Sequence, residues 1–312
     1  MTSRYIRNHP VGSSLIKRLF GALPLSVKRH LLYTKTYRRW GNFRSPLLFS
    51  EKMQWRIIND RRTRLRPTCD KRVSKLVAET IARAAGLQLR IPQIIAWSST
   101  SDGMIRALMD LEERGQLPGR WVLKPNNSSG HVLLVEGTPD WGHVREVLNT
   151  WPPERGRVHW IWPYEVAERG FIAEEWVGST PAAPIEISAT MAGGTLAYWW
   201  VQQEDPTGFK RSHFDGNGLA VEAWSTRHGL GVDFGAPKDL ITRALPYLKA
   251  LAEGWDLIRI DLYYADDTFW FGEFTPFQSD GLNSGTQFDW FDREVGALWA
   301  LPPIESVREG NP

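Results

Sequence analysis

The sequence predicts an α+β protein built from antiparallel hairpins and separate helices. Three observations carry that reading. Residues 70–86, DKRVSKLVAETIARAAG, repeat apolar side chains at helical spacing between an aspartate and a glycine. Two stretches, IEISATMAGGTLAYWWVQ and IRIDLYYADDTFWFGEFT, each set a turn signal between β-rich runs. No internal repeat or low-complexity tract interrupts the alternation of helices with hairpins.

The elements follow in chain order. SSLIKRLFGALPLSVKRHLLY reads as short amphipathic helices broken at Pro24. FSEKMQWRIINDRR reads as a helix that turns Met53, Trp55, Ile57 and Ile58 partly inward. In the next helix Asp70 is the N-cap, and Val73, Leu76, Val77, Ile81 and Ala84 make an apolar stripe that stops at Gly86. IPQIIAW reads as a strand, RWVLKPNNSSGHVLLVEG as strand, polar turn, strand, and FIAEEWVGS as a further strand. A hairpin through Gly193-Gly194 leads to DPTGFKRSHFDGNG, which has no periodicity and reads as a long loop. ITRALPYLKALAEG is a helix, and the ADD hairpin follows it.

With 312 residues, 42% apolar and 23% charged, the chain can bury a large core. Its single cysteine, Cys69, excludes an intramolecular disulfide and a cysteine-rich zinc site. No apolar run approaches the ~20 residues of a membrane span. Lys17, Arg18, Lys28 and Arg29 interrupt the apolar segments a signal peptide needs, so a cytoplasmic protein is expected. The net charge of +3 hides an asymmetry: residues 1–75 hold 19 Lys and Arg against Glu51, Asp60 and Asp70, and the remainder holds 19 against 32 acids. Such an arm suits nucleic acid, an anionic membrane surface or a polyanionic substrate, and equally packs as a solvated basic face. No zinc-finger spacing or helix-turn-helix signature supports nucleic acid, which is not expected as a partner.

Two acids stand inside apolar strands. Asp261 follows Ile258, Arg259 and Ile260; Glu273 follows Phe269, Trp270, Phe271 and Gly272. Burying a lone carboxylate is costly, so such acids face a cation or a metal. On neighbouring strands of a hairpin both can share a face and hold a hard cation, with Arg259 beside them; the same three residues also read as a structural salt-bridge cluster. The polar turn in VLKPNNSSG can aim Asn126, Asn127, Ser128, Ser129 and Gly130 at an anion next to Lys124, although a lysine near a strand end is more commonly just exposed. Together these pieces read either as a site for a magnesium-bound nucleotide phosphate or as a structural ion-pair cluster beside an exposed lysine.

The order of DK, VLKPNNSSG, an apolar strand with two glutamates, and RIDLY followed by FGEFT resembles the ATP-grasp superfamily. FSEKMQWRIINDRR, CDKRVSKLVAETI and the FGEFT hairpin look closest to its teichuronopeptide-biosynthesis (TupA-like) branch, over residues 45 to 285 or so. The resemblance implies an ATP-grasp fold, α+β, with two antiparallel-sheet subdomains clasping ATP. These are a lid subdomain (67–175) and a large subdomain with the magnesium site (176–302), after a basic helical segment (1–66) and before a tail (303–312). It implies Lys71 and Lys124 on phosphates, under a lid that includes Ser128, Ser129 and Gly130. It implies Glu174 on the adenine amine, Glu175, Trp176 and Val177 along the base, and Glu186 on the ribose hydroxyls. Arg259 would hold the γ-phosphate, and Asp261 and Glu273 would bind magnesium. Thr275 stands where members commonly have asparagine, a change to a weaker oxygen ligand. The lid is rich in asparagine rather than glycine, so its backbone is less permissive.

The implied activity is that of an ADP-forming carboxylate–amine ligase using ATP and Mg2+. Lys210, Arg211, His213 and Asp215 fall where related ligases close over their substrates. Lys210 and Arg211 read as holders of a substrate carboxylate or phosphate, or as a solvated loop; His213 reads as a base for the amine, or as incidental. QSDGLNSG (278–285) would line the acyl site. The branch's association with cell-surface polymers and peptide-like products points to an amino acid or uronic acid as one substrate. The basic arm fits an anionic polymer or a membrane-bound acceptor. A phosphotransferase on the same fold and a nucleotide-binding module without turnover are the rival readings.

Overall fold

The computed structural model describes residues 20–128, 130–151, 160–180, 183–205, 208–221, 238–283 and 288–308, with the backbone alone at 204, 205, 208–210, 238 and 288. The described residues fall into two compact units, one within 1–63 and 277–312 and the other within 64–276. Pro24 interrupts the first helical segment as expected, and α1 (Leu25–Tyr37) starts at the next residue. α2 (Phe49–Asn59) buries Met53, Trp55 and Ile57.

In the second unit α3 (Lys71–Ala84) begins at Asp70, whose carboxylate accepts from the amides of Arg72 at 3.0 Å and Val73 at 3.1 Å. The face that α3 buries differs from the expected stripe. Val73 and Leu76 are exposed, whereas Ser74, Lys75, Ala78 and Ala82 are buried. Small side chains let this face pack closely, and Lys75 meets a buried carboxylate there. Counting apolar residues therefore selects the wrong side.

β1 (Ile94–Ser98), β2 (Arg120–Pro125), β3 (Leu133–Glu136) and β4 (Phe171–Glu175) form an antiparallel sheet in the order β1-β4-β2-β3. α4 (Ser101–Glu113) and α5 (Trp141–Thr150) cover it, packing Met104, Leu108, Val144 and Leu148 with Trp121 and Leu123. A short helix, α6 (Trp162–Val166), precedes β4. β5 (Ile185–Ala192), β6 (Thr195–Asp205), β7 (Gly208–Asp215), β8 (Leu257–Ala265) and β9 (Thr268–Thr275) form a second antiparallel sheet in the order β7-β6-β5-β8-β9. α7 (Lys238–Leu251) packs against β5 and α3. Both expected hairpin turns form: Gly193-Gly194 has φ of 54° and 80°, Asp266-Asp267 has 51° and 55°, and positive φ at both positions is what a type I′ turn needs.

The stretch expected to be a loop is the edge strand β7. Its two faces, Arg211 with His213 and Ser212 with Phe214, show no apolar alternation. Backbone pairing to β6 orders it instead.

α8 (Phe288–Leu298) and α9 (Ile304–Arg308) complete the first unit. Asp292 on α8 accepts from the Ser50 amide at 2.6 Å and its hydroxyl at 2.9 Å. Arg29 is fully buried and donates to Gln54 Oε1 and to the Asp280 carbonyl, each at 2.6 Å. Among the described residues no helix is long and apolar enough to cross a membrane.

Candidate functional site

Cross-strand partners in the five-stranded sheet fall into rows. One row reads Glu273, Asp261, Ser188, Trp200, His213; a second reads Thr275, Arg259, Thr190, Tyr198, Asp215; a third reads Tyr263, Glu186, Gln202, Arg211. Residues two apart share a face, so all three rows lie on one polar side. Ile187, Ala189, Trp199, Val201, Ile260 and Leu262 fill the opposite, buried side.

A strict hairpin counted from the Asp266-Asp267 turn would pair Glu273 with Ile260 and turn it into that apolar side. A bulge between Asp261 and Leu262 resets the register and sets Glu273 opposite Asp261. Gly272 is the extra residue. A Cβ there would lie 2.7 Å from the Asp261 carbonyl oxygen, so the close approach requires glycine.

The two carboxylates share one guanidinium. Arg259 donates from Nε to Asp261 Oδ1 at 2.8 Å, and from Nη2 to Asp261 Oδ2 at 2.6 Å and Glu273 Oε1 at 3.1 Å. Ser188 Oγ donates to Asp261 Oδ1 at 2.6 Å, and Thr275 Oγ1 to Glu273 Oε1 at 3.0 Å. Burial pushes the Asp261 carboxyl up to about 6, with Arg259 opposing it. Burial also acts to raise Glu273, but Lys71 and Arg259 hold it below its ordinary value. Glu186 rises to about 7, through burial first and then the charge of Asp261. Among the described residues no group of three His, Cys, Asp or Glu side chains gathers as a metal cage. Asp261, Glu273 and Thr275 each present a side-chain oxygen there.

The other cations come from α3 and the four-stranded sheet. Lys71 Nζ donates to the Ser128 carbonyl, and burial lowers its pKa against the pull of Glu273. Lys124 on β2 pairs with Glu174 Oε1 on β4, and Lys75 lies 3.0 Å from Glu174 Oε2. Burial works to raise Glu174, yet Lys124 and Lys75 bring it down to about 2. Sequence reasoning missed Lys75; its place one helical turn after Lys71 was the available signal.

The polar turn is latched to the start of α3. Asn126 accepts from the Arg72 amide at 3.1 Å and donates to the Glu168 carbonyl at 2.7 Å, and Asn126, Asn127 and Ser128 are all buried. Gly130 has a φ of 78°. Glu175 holds the Gln93 amide at 3.0 Å, the Trp176 indole lies near Arg120, and Val177 is buried. Arg211 donates from Nε to Gln202 Oε1 at 2.8 Å and stacks 4.3 Å over Trp200. His213 is buried on β7 against the Tyr198 hydroxyl. Burial, and then Arg211, lowers it to about 3, so its imidazole is neutral at pH 7. Gln278–Gly281 belongs to the first unit, bonded to Arg29 and Gln54. Ser129, the Lys210 side chain and residues 284–287 lie outside the described residues.

No protein-family model and no curated protein matches the chain. Among solved structures it is similar to D-alanine–D-alanine ligase from Bacillus anthracis, with 19% identity over 67% of this chain and 57% of that one and a TM-score of 0.38. It is similar also to N5-carboxyaminoimidazole synthetase from Staphylococcus aureus, with 12% identity over 76% and 53% and a TM-score of 0.40. A RimK domain protein ATP-grasp from Sphaerobacter thermophilus aligns with 14% identity over 85% and 72% and a TM-score of 0.36. The chain thus spans a little over half the length of the first two. At TM-scores below 0.5 none of these likenesses bears on the chemistry of its residues.

Proposed function

We propose that this chain is an ATP-dependent carboxylate–amine ligase of ATP-grasp type, with the site above as its phosphate and magnesium centre. One observation carries the reading. Lys71 and Lys124, from α3 and the four-stranded sheet, help hold down the carboxyl of Glu273, which shares the Arg259 guanidinium with Asp261 on the five-stranded sheet. Cations and hard-oxygen acids drawn from separate elements suit a polyphosphate with a divalent cation better than they suit a local ion pair. The sequence resemblance supports the same reading.

Asp261, Glu273 and Thr275 fit magnesium, because all offer hard oxygens and burial raises the Asp261 carboxyl even beside Arg259. Bound there, the ion would neutralise phosphate charge. In the reaction a substrate carboxylate oxygen attacks the γ-phosphorus and ADP leaves, forming an acyl phosphate. The amine nitrogen then attacks the acyl carbon, phosphate leaves, and an amide and a proton remain. Arg259, Lys71 and Lys124 spread the charge that develops on the phosphoryl oxygens, and Glu174 holds Lys124 in position. Glu186 would take the ribose hydroxyls and residues 175–177 the base. Arg211 would orient a substrate carboxylate. An amino acid or uronic acid is the proposed substrate class, and a peptide-like or cell-surface product the outcome.

The test is phosphate release from ATP and magnesium with amino acids offered singly and in pairs, wild type beside Asp261→Asn with Glu273→Gln. Release should need both a carboxylate and an amine, and should drop at least about a hundredfold in the double variant. Release with one substrate and a stable phosphorylated product would replace the ligase with a phosphotransferase. Tight Mg-ATP binding with no release across the panel would leave a nucleotide-binding module.

A further inference from the structure

The first fifty residues contain ten Lys and Arg and no Asp or Glu. The first acid in the chain, Glu51, is turned inward. Its buried carboxylate accepts from the amides of Asn42 at 3.0 Å, Leu47 at 3.3 Å and Leu48 at 3.4 Å, and so ties down the loop between α1 and α2. Asn42 adds a bond to the Ser45 amide at 3.1 Å. The charge of Glu51 is consumed inside, and the loop it organises exposes cations, large apolar groups and the neutral Asn42 and Ser45, with no acid among them. Trp40 is 66% exposed and Leu47 76% exposed, with exposed Arg38 and Arg44 in the same loop and Lys35 in the last turn of α1. Trp40 is held as well as exposed: its indole stacks on His30 at 4.4 Å and 9°, and His30 stacks on the buried Phe43 at 4.0 Å and 5°. Val27 and Leu31, one turn apart on the same helix as His30, are exposed beside it.

We propose that this loop and the adjoining face of α1 dock on an anionic lipid bilayer, with Trp40 and Leu47 entering the headgroup layer and Lys35, Arg38 and Arg44 meeting lipid phosphates. A rigidly supported indole and leucine set among cations match the boundary where acyl chains meet charged headgroups. A soluble polyanion would use the cations and leave both apolar side chains in water. The inference stands on the first unit alone and is independent of the proposed ligase chemistry.

The experiment is co-sedimentation of the full chain with phosphatidylcholine vesicles, with and without phosphatidylglycerol, at low and high salt. The wild type should bind the anionic vesicles, and salt should weaken binding. Lys35→Gln with Arg38→Gln and Arg44→Gln should lower the partition coefficient roughly a hundredfold, since each cation near such a surface is worth about fivefold. Trp40→Ala with Leu47→Ala should lower it at least about tenfold. All five positions are exposed, and circular dichroism checks that the variants fold. Failure of the wild type to sediment with anionic vesicles at low salt overturns the proposal. So does binding that is indifferent to the Trp40 and Leu47 changes while soluble polyglutamate displaces the vesicles, because the face would then read a polymer's charge alone.

Discussion

Glu174 lies 3.0 Å from Lys75 through one oxygen and bonds Lys124 through the other, so a carboxylate that burial alone would neutralise stays charged. The triad serves position more than stability, because the desolvation of its members offsets much of their attraction. Removing one member is a different matter. Lys75→Met keeps the length and loses the charge, and should cost about 3 kcal/mol in urea unfolding at pH 7. The same residue sets an acid limb. Glu174 sits at about 2 in the folded chain against an ordinary 4.5. Its contribution is therefore complete above pH 4.5 and is lost as pH falls toward 2. Wild type should lose stability across that window, and Lys75→Met should lose less; identical slopes would remove Lys75 from the account. Lys124 was legible from the sequence as a charge beside a polar turn, and Lys71 only through the resemblance to the ATP-grasp superfamily. Lys75 was not singled out, because its place one turn after Lys71 marks a shared helix face without marking that face as buried.

At the scale of elements, the bulge at Gly272 decides whether a site exists. With it, Phe269 and Phe271 pair with Tyr264 and Leu262, Phe274 pairs with Ile260, and Glu273 and Thr275 return to the polar side. Gly272→Ala would place a Cβ 2.7 Å from the Asp261 carbonyl oxygen. The hairpin must then shift, at a cost of about 1–3 kcal/mol, and Mg-ATP affinity measured by calorimetry should fall at least about tenfold. Unchanged affinity would show that the register is held by something else. The paired acids were readable as neighbours on a hairpin, and the turn between them as a turn. The bulge that makes them face each other was not, since a glycine inside a strand marks a bulge only once its partner strand is known. The inward face of α3 and the strand character of β7 escaped for the same reason.

For the whole molecule, ligand binding and stability are one measurement. Nucleotide that binds only the folded chain adds about 2.7 kcal/mol at a hundred times Kd. In a unit of this size that corresponds to roughly 5–10 °C in thermal midpoint. Mg-ATP should produce that rise in the wild type and a much smaller one in Asp261→Asn with Glu273→Gln. Equal shifts in both would separate nucleotide binding from these acids.

The sequence by itself determined the α+β class, the two hairpins and the places of their turns, the N-cap at Asp70, the break at Pro24 and the concentration of positive charge before residue 75. Each depends on a residue's own backbone preferences or on neighbours within a few positions. Only the tertiary structure decided which side of α3 is buried, that β7 is a strand, and that Glu273 faces Asp261. Those outcomes rest on pairing and packing between elements: β7 is ordered by β6, and the site joins Lys124 to Glu174 across 50 residues and Ser188 to Asp261 across 73. Close packing and cross-strand pairing select among locally equivalent faces, and that selection has no local signature.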